Sequence, residues 1–207
     1  MPASDIERRI LCKEVRVDSS GDKPLIRGYA AVFNTLSEDL GGFREQLQAG
    51  AFSDAIGSSD VRALINHDPN LVLGRNQSGT LAMREDAAGL YVEITPPDTQ
   101  AARDLVTSMT RGDVNQMSFA FTVAKEDQQW TRDGTGPWLR TIKRVSRLFD
   151  VSVVTYPAYP QTSAAVRELQ GLQEQDAQQA LAAAQANERR EREARARHLQ
   201  ILELSVR

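Results

Sequence analysis

The chain has 207 residues, enough for one domain of ordinary size with its own core plus an appendage, and too few for two full domains. Lysine and arginine total 25 and aspartate and glutamate 28, a net −3 without the basic excess that a nucleic-acid partner calls for. A single cysteine, Cys12, excludes an internal disulfide, and two histidines, His67 and His198, are too few for a Cys/His zinc cluster, so a reducing, cytoplasmic setting is expected.

Charged residues rather than an apolar stretch follow Met1-Pro2-Ala3-Ser4-Asp5. No run nears the roughly 18 apolar residues of a membrane span, so a soluble protein with no membrane partner is expected. From Arg9 to Val17, Ile10, Cys12, Val15 and Val17 alternate imperfectly with charged neighbours, which predicts one strand with a wet face. Ser19-Ser20-Gly21-Asp22 reads as a turn into the β-prone run Leu25 to Phe33, so these two strands are expected to form a hairpin. Asn34 to Gly42 is a polar loop, Phe43 to Leu47 a short glycine-bounded piece, and Gly50-Ala51-Phe52-Ser53 opens a short helix to about Ile56.

Val61 to His67 predicts a strand that delivers His67 to its end, with Asp68-Pro69-Asn70 as the turn that stops it. Leu71 to Arg75, Leu81 to Glu85 and Leu90 to Ile94 follow at meander spacing. Between Thr99 and Thr110, Ala101, Ala102, Leu105, Val106 and Met109 recur at helical intervals, with Asp98 or Thr99 as N-cap and Gly112 as the stop. The next strand, Asn115 to Thr122, sends Met117, Phe119 and Phe121 to one face and Ser118, Ala120 and Thr122 to the other. Lys125 to Pro137 reads as a polar excursion joining two antiparallel strands, with Trp130 and Trp138 as core anchors or surface contacts. Leu148 to Pro157 is the most β-branched run and predicts a central strand.

Strands at this spacing, with one or two helices among them, predict an α+β fold built on a mostly antiparallel β-barrel or sandwich. After Pro160 the composition turns to Ala, Gln, Glu and Arg, so residues 1–166 are expected to form the main domain and 167–207 a helical tail. Glu188 and Arg192, Glu191 and Arg195, and Glu193 and Arg197 are acid-before-base pairs one helical turn apart. The apolar end, Leu199 to Val206, reads either as a docking tip or as a frayed tail.

Three residues stand out chemically. Ser118 is a hydroxyl held on rigid backbone, His67 a histidine at a strand-to-turn junction, and Asp150 a carboxylate within an apolar strand, where it is expensive without a partner. Each also has an ordinary reading, as a strand serine on the less buried face, a structural histidine, and a turn cap or partner of Arg147. Together they form a set in which Ser118 is the nucleophile, His67 the general base and Asp150 the acceptor that fixes the imidazole tautomer. Ser118 lacks Gly-x-Ser-x-Gly and Ser-x-x-Lys surroundings, which argues against a nucleophile elbow and against a serine–lysine dyad.

Phe43-x-Glu45 with Gly50-Ala51-Phe52, Leu64-x-x-His67 with Leu73-Gly74, Met117-Ser118-Phe119-x-Phe121, and Asp150-Val151-Ser152-x-Val154-Thr155-x-Pro157-Ala158 occur in that order. In these residues the chain, over about 9 to 166, resembles the prohead protease family of tailed bacteriophages. The resemblance implies a herpesvirus assemblin-like fold, a β-barrel flanked by helices. It also implies a serine endopeptidase that removes scaffold from the major capsid protein, and cleaves itself, inside the assembling prohead in the host cytoplasm. Ser118 then matches the family's nucleophile and His67 its base. At the third position, matched by Asp150, many relatives carry glutamate and herpesvirus relatives a second histidine. Backbone N–H groups or one of Arg140, Arg144 and Arg147 would serve the oxyanion. No metal or organic cofactor is implied, and since herpesvirus relatives act as dimers, a homodimer is a further expectation. The alternatives are a non-catalytic capsid assembly or scaffolding protein acting through its helical tail, and a serine esterase on small esters.

Overall fold

The strand that carries Ser118, β9 (Gln116–Thr122), is covered on both faces, with six of its seven residues buried. It lies within a five-stranded sheet of order β1 (Glu7–Arg9), β9, β12 (Arg147–Val154), β5 (Arg62–Ile65) and β6 (Asp68–Arg75). A four-stranded sheet has the order β2 (Lys13–Asp18), β3 (Leu25–Val32), β8 (Gly89–Ile94) and β7 (Leu81–Glu85). A three-stranded sheet has the order β10 (Gln128–Arg132), β11 (Trp138–Ile142) and β4 (Phe43–Leu47). The helices are α1 (Ser53–Ser58), α2 (Gln100–Arg111) and α3 (Ser163–Ser205). This computed structural model describes residues 6–21, 23–134, 136–156 and 163–205. It divides into two compact units, Met1–Ala164 and Ala165–Arg207.

The aromatic face of β9 fills the core of the first unit. Phe119 stacks on Phe121 with ring centroids 4.9 Å apart and meets Phe52, ahead of α1, edge-on at 5.5 Å. Ile26 and Ala30 of β3 and Leu90, Val92 and Ile94 of β8 join the same cluster. So do Ala102, Leu105 and Met109 of α2, whose spacing puts them on one helical stripe. The α2 termini follow sequence rules. Thr99 Oγ1 accepts from the Ala102 N–H, and Gly112 closes the helix in the left-handed conformation.

The α+β class holds, with many strands and three helices, but the ladders form three open sheets and show no closed barrel among the described residues. Two pairings are parallel, β4 with β11 and β5 with β12. The expected strand from Arg9 to Val17 is two strands in different sheets, since β1 pairs with β9 and β2 with β3. The chain crosses between them at Leu11, whose carbonyl accepts from the Val32 N–H. The polar excursion after Lys125 contains a strand of its own, because β10 forms a hairpin with β11. Asp68-Pro69-Asn70 begins β6 rather than stopping β5. The turn is Asn66-His67, with φ of 51° and 58°. Asn tolerates the left-handed region, and Pro69, lacking an N–H, is accommodated because β6 ends its sheet.

Gly89 opens β8 where β3 bulges toward it, and a Cβ built there would lie 2.0 Å from the Ala31 carbonyl oxygen. Backbone cannot yield at that distance. Gly89→Ala is therefore expected to lose about 2–3 kcal/mol of stability, read as a lower urea midpoint at unchanged slope.

In the second unit, α3 is a solvated helix with exposed ion pairs one turn apart. Glu188 pairs with Arg192 at 2.6 Å, Glu191 with Arg195 at 3.7 Å and Glu193 with Arg189 at 3.0 Å, while the side chain of Arg197 lies outside the described residues. Such pairs contribute a few tenths of a kcal/mol each. The side chains of the apolar end, and Val206 itself, lie outside the described residues. No helix among the described residues is long and apolar enough to cross a membrane.

Candidate active site

Three adjacent strands bring the chemistry together. In the antiparallel ladder of β9 and β12, Ser118 lies opposite Ser152 and Ala120 opposite Asp150. On the other side of β12, the parallel ladder sets Ser152 opposite Leu64 and Val153 opposite Ile65. The chain leaving β5 turns at Asn66 and His67. The Asn66 N–H donates to the Val153 carbonyl at 2.9 Å. Its side-chain Oδ1 accepts from the Thr155 N–H at 2.9 Å, and its Nδ2 donates to Thr155 Oγ1 at 3.3 Å. The turn is thus stapled to β12, and the imidazole reaches across that strand toward β9.

The three residues singled out by sequence meet. His67 Nε2 lies 2.7 Å from Ser118 Oγ, and His67 Nδ1 lies 2.6 Å from Asp150 Oδ1. An ionised carboxylate only accepts hydrogen bonds, so Nδ1 carries the proton and Nε2 presents its lone pair to the serine hydroxyl. The His67 and Asp150 side chains are 8% and 11% exposed, and Ser118 and Ser152 are fully covered. Ser118 therefore does not sit on a wet strand face. A low-dielectric setting of this kind strengthens the fields of the groups inside it.

Sequence reasoning missed two residues here. Ser152 Oγ donates to Asp150 Oδ1 at 2.6 Å, a contact foreshadowed only by the shared strand face of residues 150 and 152. Asn66 was passed over because its αL turn lay hidden behind the stronger Asp-Pro-Asn signal. Of the arginines considered for an oxyanion, Arg140 is buried with Glu7 and Glu45, Arg144 pairs with Asp127, and Arg147 lies over the Phe149 ring at 4.6 Å. None of the three has Ser118 as a partner. The other histidine, His198, has its side chain outside the described residues.

Trp130 packs on Phe43 with centroids 5.0 Å apart, which makes it a half-buried anchor of the β10–β11 hairpin. A cavity of about 1010 Å³ opens between β6 and α2, lined by Val72, Leu73, Ala102 and Val106 among others, and none of Ser118, His67 and Asp150 lines it. The hydrogen-bonded side chains, not this hollow, mark the candidate site. Among the described residues no cluster of three or more His, Cys, Asp or Glu is arranged to hold a metal ion.

A serine hydroxyl bonded to an imidazole, itself bonded to a carboxylate, is the arrangement of a serine hydrolase. Residues 12–176 match the family described as Caudovirus prohead serine protease, and the chain belongs to that family and is a serine peptidase. The prohead protease of Enterobacteria phage HK97 is 34% identical over 166 residues, covering 77% of this chain and 68% of the relative. The structure of the bacteriophage T4 capsid assembly protease, gp21, covers 73% of this chain and 99% of its own, at 12% identity and a TM-score of 0.46, a likeness too distant to carry an argument.

Proposed function

We propose that this chain is the maturation endopeptidase of a phage prohead, cutting scaffold from the major capsid protein, and also its own chain, inside the assembling shell. The observation that carries the reading is the hydrogen-bonded line from Ser118 through His67 to Asp150. In the mechanism, His67 Nε2 takes the Ser118 proton as Oγ attacks the scissile carbonyl. Asp150 holds the imidazole tautomer and balances the imidazolium that forms. His67 then gives the proton to the leaving amine, and water releases the acyl group by the same route in reverse. Ser118 has no exposed surface, so the approaching peptide has to uncover Oγ before attack. An extended substrate stretch would add to a sheet edge, and β6, which follows His67 directly, ends its sheet.

The test is coexpression of the full chain with the capsid protein of its own phage, read by intact mass. Capsid protein shortened at one position supports the proposal. Capsid protein of unaltered mass inside assembled shells contradicts it.

A further inference from the structure

Asp150 Oδ1 accepts two hydrogen bonds at once, from His67 Nδ1 and from Ser152 Oγ, each at 2.6 Å. Ser152 lies two residues further along β12, so strand alternation returns its side chain to the face of Asp150, and it sits opposite Ser118 in the ladder. It is fully buried, and among the described residues its hydroxyl has no other partner. Facing an ionised carboxylate, that hydroxyl can only donate. The terminal torsion of an aspartate is broad, so packing alone does not fix the plane of the carboxylate against the imidazole. A hydroxyl held on the same strand fixes it. Charged groups on the neighbouring strands are engaged elsewhere. Arg62 of β5, level with Asp150, is directed to Asp60 at 3.2 Å, and Asp68 of β6 accepts from Asn70.

Resting on the triad reading above, we propose that Ser152 is a positioning residue. It holds the Asp150 carboxylate in the rotation that aims Oδ1 at His67 and takes a share of that oxygen's negative charge. Without it the carboxylate rotates more freely, and the imidazole is held less firmly in line with Ser118 Oγ.

A fluorophosphonate tests this without knowledge of the cleavage sequence. Ser118 Oγ bonds to phosphorus, fluoride leaves, and His67 accepts the hydroxyl proton. Labelling rates of the full chain are measured for the wild type, Ser152→Ala, Asp150→Ala and the double variant. Alanine removes side-chain oxygen and adds no bulk, and a thermal melt confirms folding. Ser152→Ala is expected to label on the order of tenfold to a hundredfold more slowly. In the Asp150→Ala background the same substitution should change nothing further, because no oxygen is left there to accept from Oγ, whereas a merely structural role would cost the same in both backgrounds. A Ser152→Ala rate equal to the wild type, or a loss that recurs undiminished beside Asp150→Ala, overturns the inference and leaves the triad standing. Asp150→Ala labelling at the wild-type rate overturns the triad reading and this inference with it.

Discussion

Ser118→Ala is expected to lower peptide cleavage by a factor on the order of 10⁴ or more, leaving the coexpressed capsid protein uncut. The size follows from the chemistry. Without Oγ no acyl-enzyme forms, and His67 and Asp150 have no nucleophile to serve. The substitution removes one buried hydroxyl whose partner among the described residues is His67 Nε2, so its effect on folding is confined to about 1–3 kcal/mol for an unsatisfied group. A folded, inactive protein is the expected result, distinguished from an unfolded one by its melt. Cleavage within tenfold of the wild type would remove Ser118 from the reaction.

Arg140→Ala is expected to give the largest loss of stability, about 3–5 kcal/mol. Arg140 is 1% exposed and donates from Nη1 to Glu7 at 2.6 Å and to Glu45 at 2.7 Å, from Nη2 to Glu7 at 2.8 Å, and from Nε to Gln128. Arg9 completes the cluster. Its Nη2 donates to Glu7 at 2.7 Å and to Glu45 at 3.1 Å, and its Nε lies 2.9 Å from Glu45 Oε1. Two acids and two bases balance inside the protein, tying β1 to β4 and β11. Removing Arg140 leaves two buried carboxylates with one cation.

The same cluster predicts an acid response. Burial by itself raises the Glu7 carboxyl, but the hydrogen bond and charge of Arg140, with those of Arg9, outweigh it and hold the group below its ordinary value of 4.5. For Arg140, burial opposes the charge, and Glu7 and Glu45 overcome that opposition, raising its pKa. A depressed carboxyl contributes stability that is fully present above its unfolded value and is lost as pH falls through its lower folded value. Wild-type stability should therefore begin to fall below about pH 4.5 on this account. In Arg140→Ala burial dominates and raises the Glu7 carboxyl, so the folded state holds that proton more tightly than the unfolded chain does, and the variant's deficit against the wild type should shrink as pH falls through the carboxyl range. Urea midpoints between pH 3 and 7, about the span over which carboxyls titrate, check both statements. Equal midpoints for the two proteins at every pH would show that the buried charges do not interact.

What could be read from sequence and what could not divides along physical lines. Local signals held for β9, for α2 with Thr99 and Gly112 at its ends, and for the long helix with its Glu–Arg pairs. His67 and Asp150 stood out because each was out of keeping with its surroundings, and the structure brings both to Ser118. Arg9 and its wet-face strand misled, because charges on a strand look the same whether they meet water or, as Arg9 and Glu7 do, each other. Their burial depends on Glu45 and Arg140, from 36 to 133 residues away in sequence. The parallel pairings of β4 with β11 and β5 with β12 likewise rest on contacts that no local pattern records. The turn at Asn66-His67 was hidden because Asp-Pro-Asn carries a stronger turn signal, and only the edge position of β6 lets Pro69 lie in a strand.

The central claim is that Ser118 is the nucleophile activated by His67. It is tested most directly by treating the full chain with a fluorophosphonate and mapping the adduct by peptide mass. The account predicts one adduct, on Ser118, absent from a folded His67→Ala variant. An adduct on a different serine, or one on Ser118 that forms equally well without His67, would contradict it.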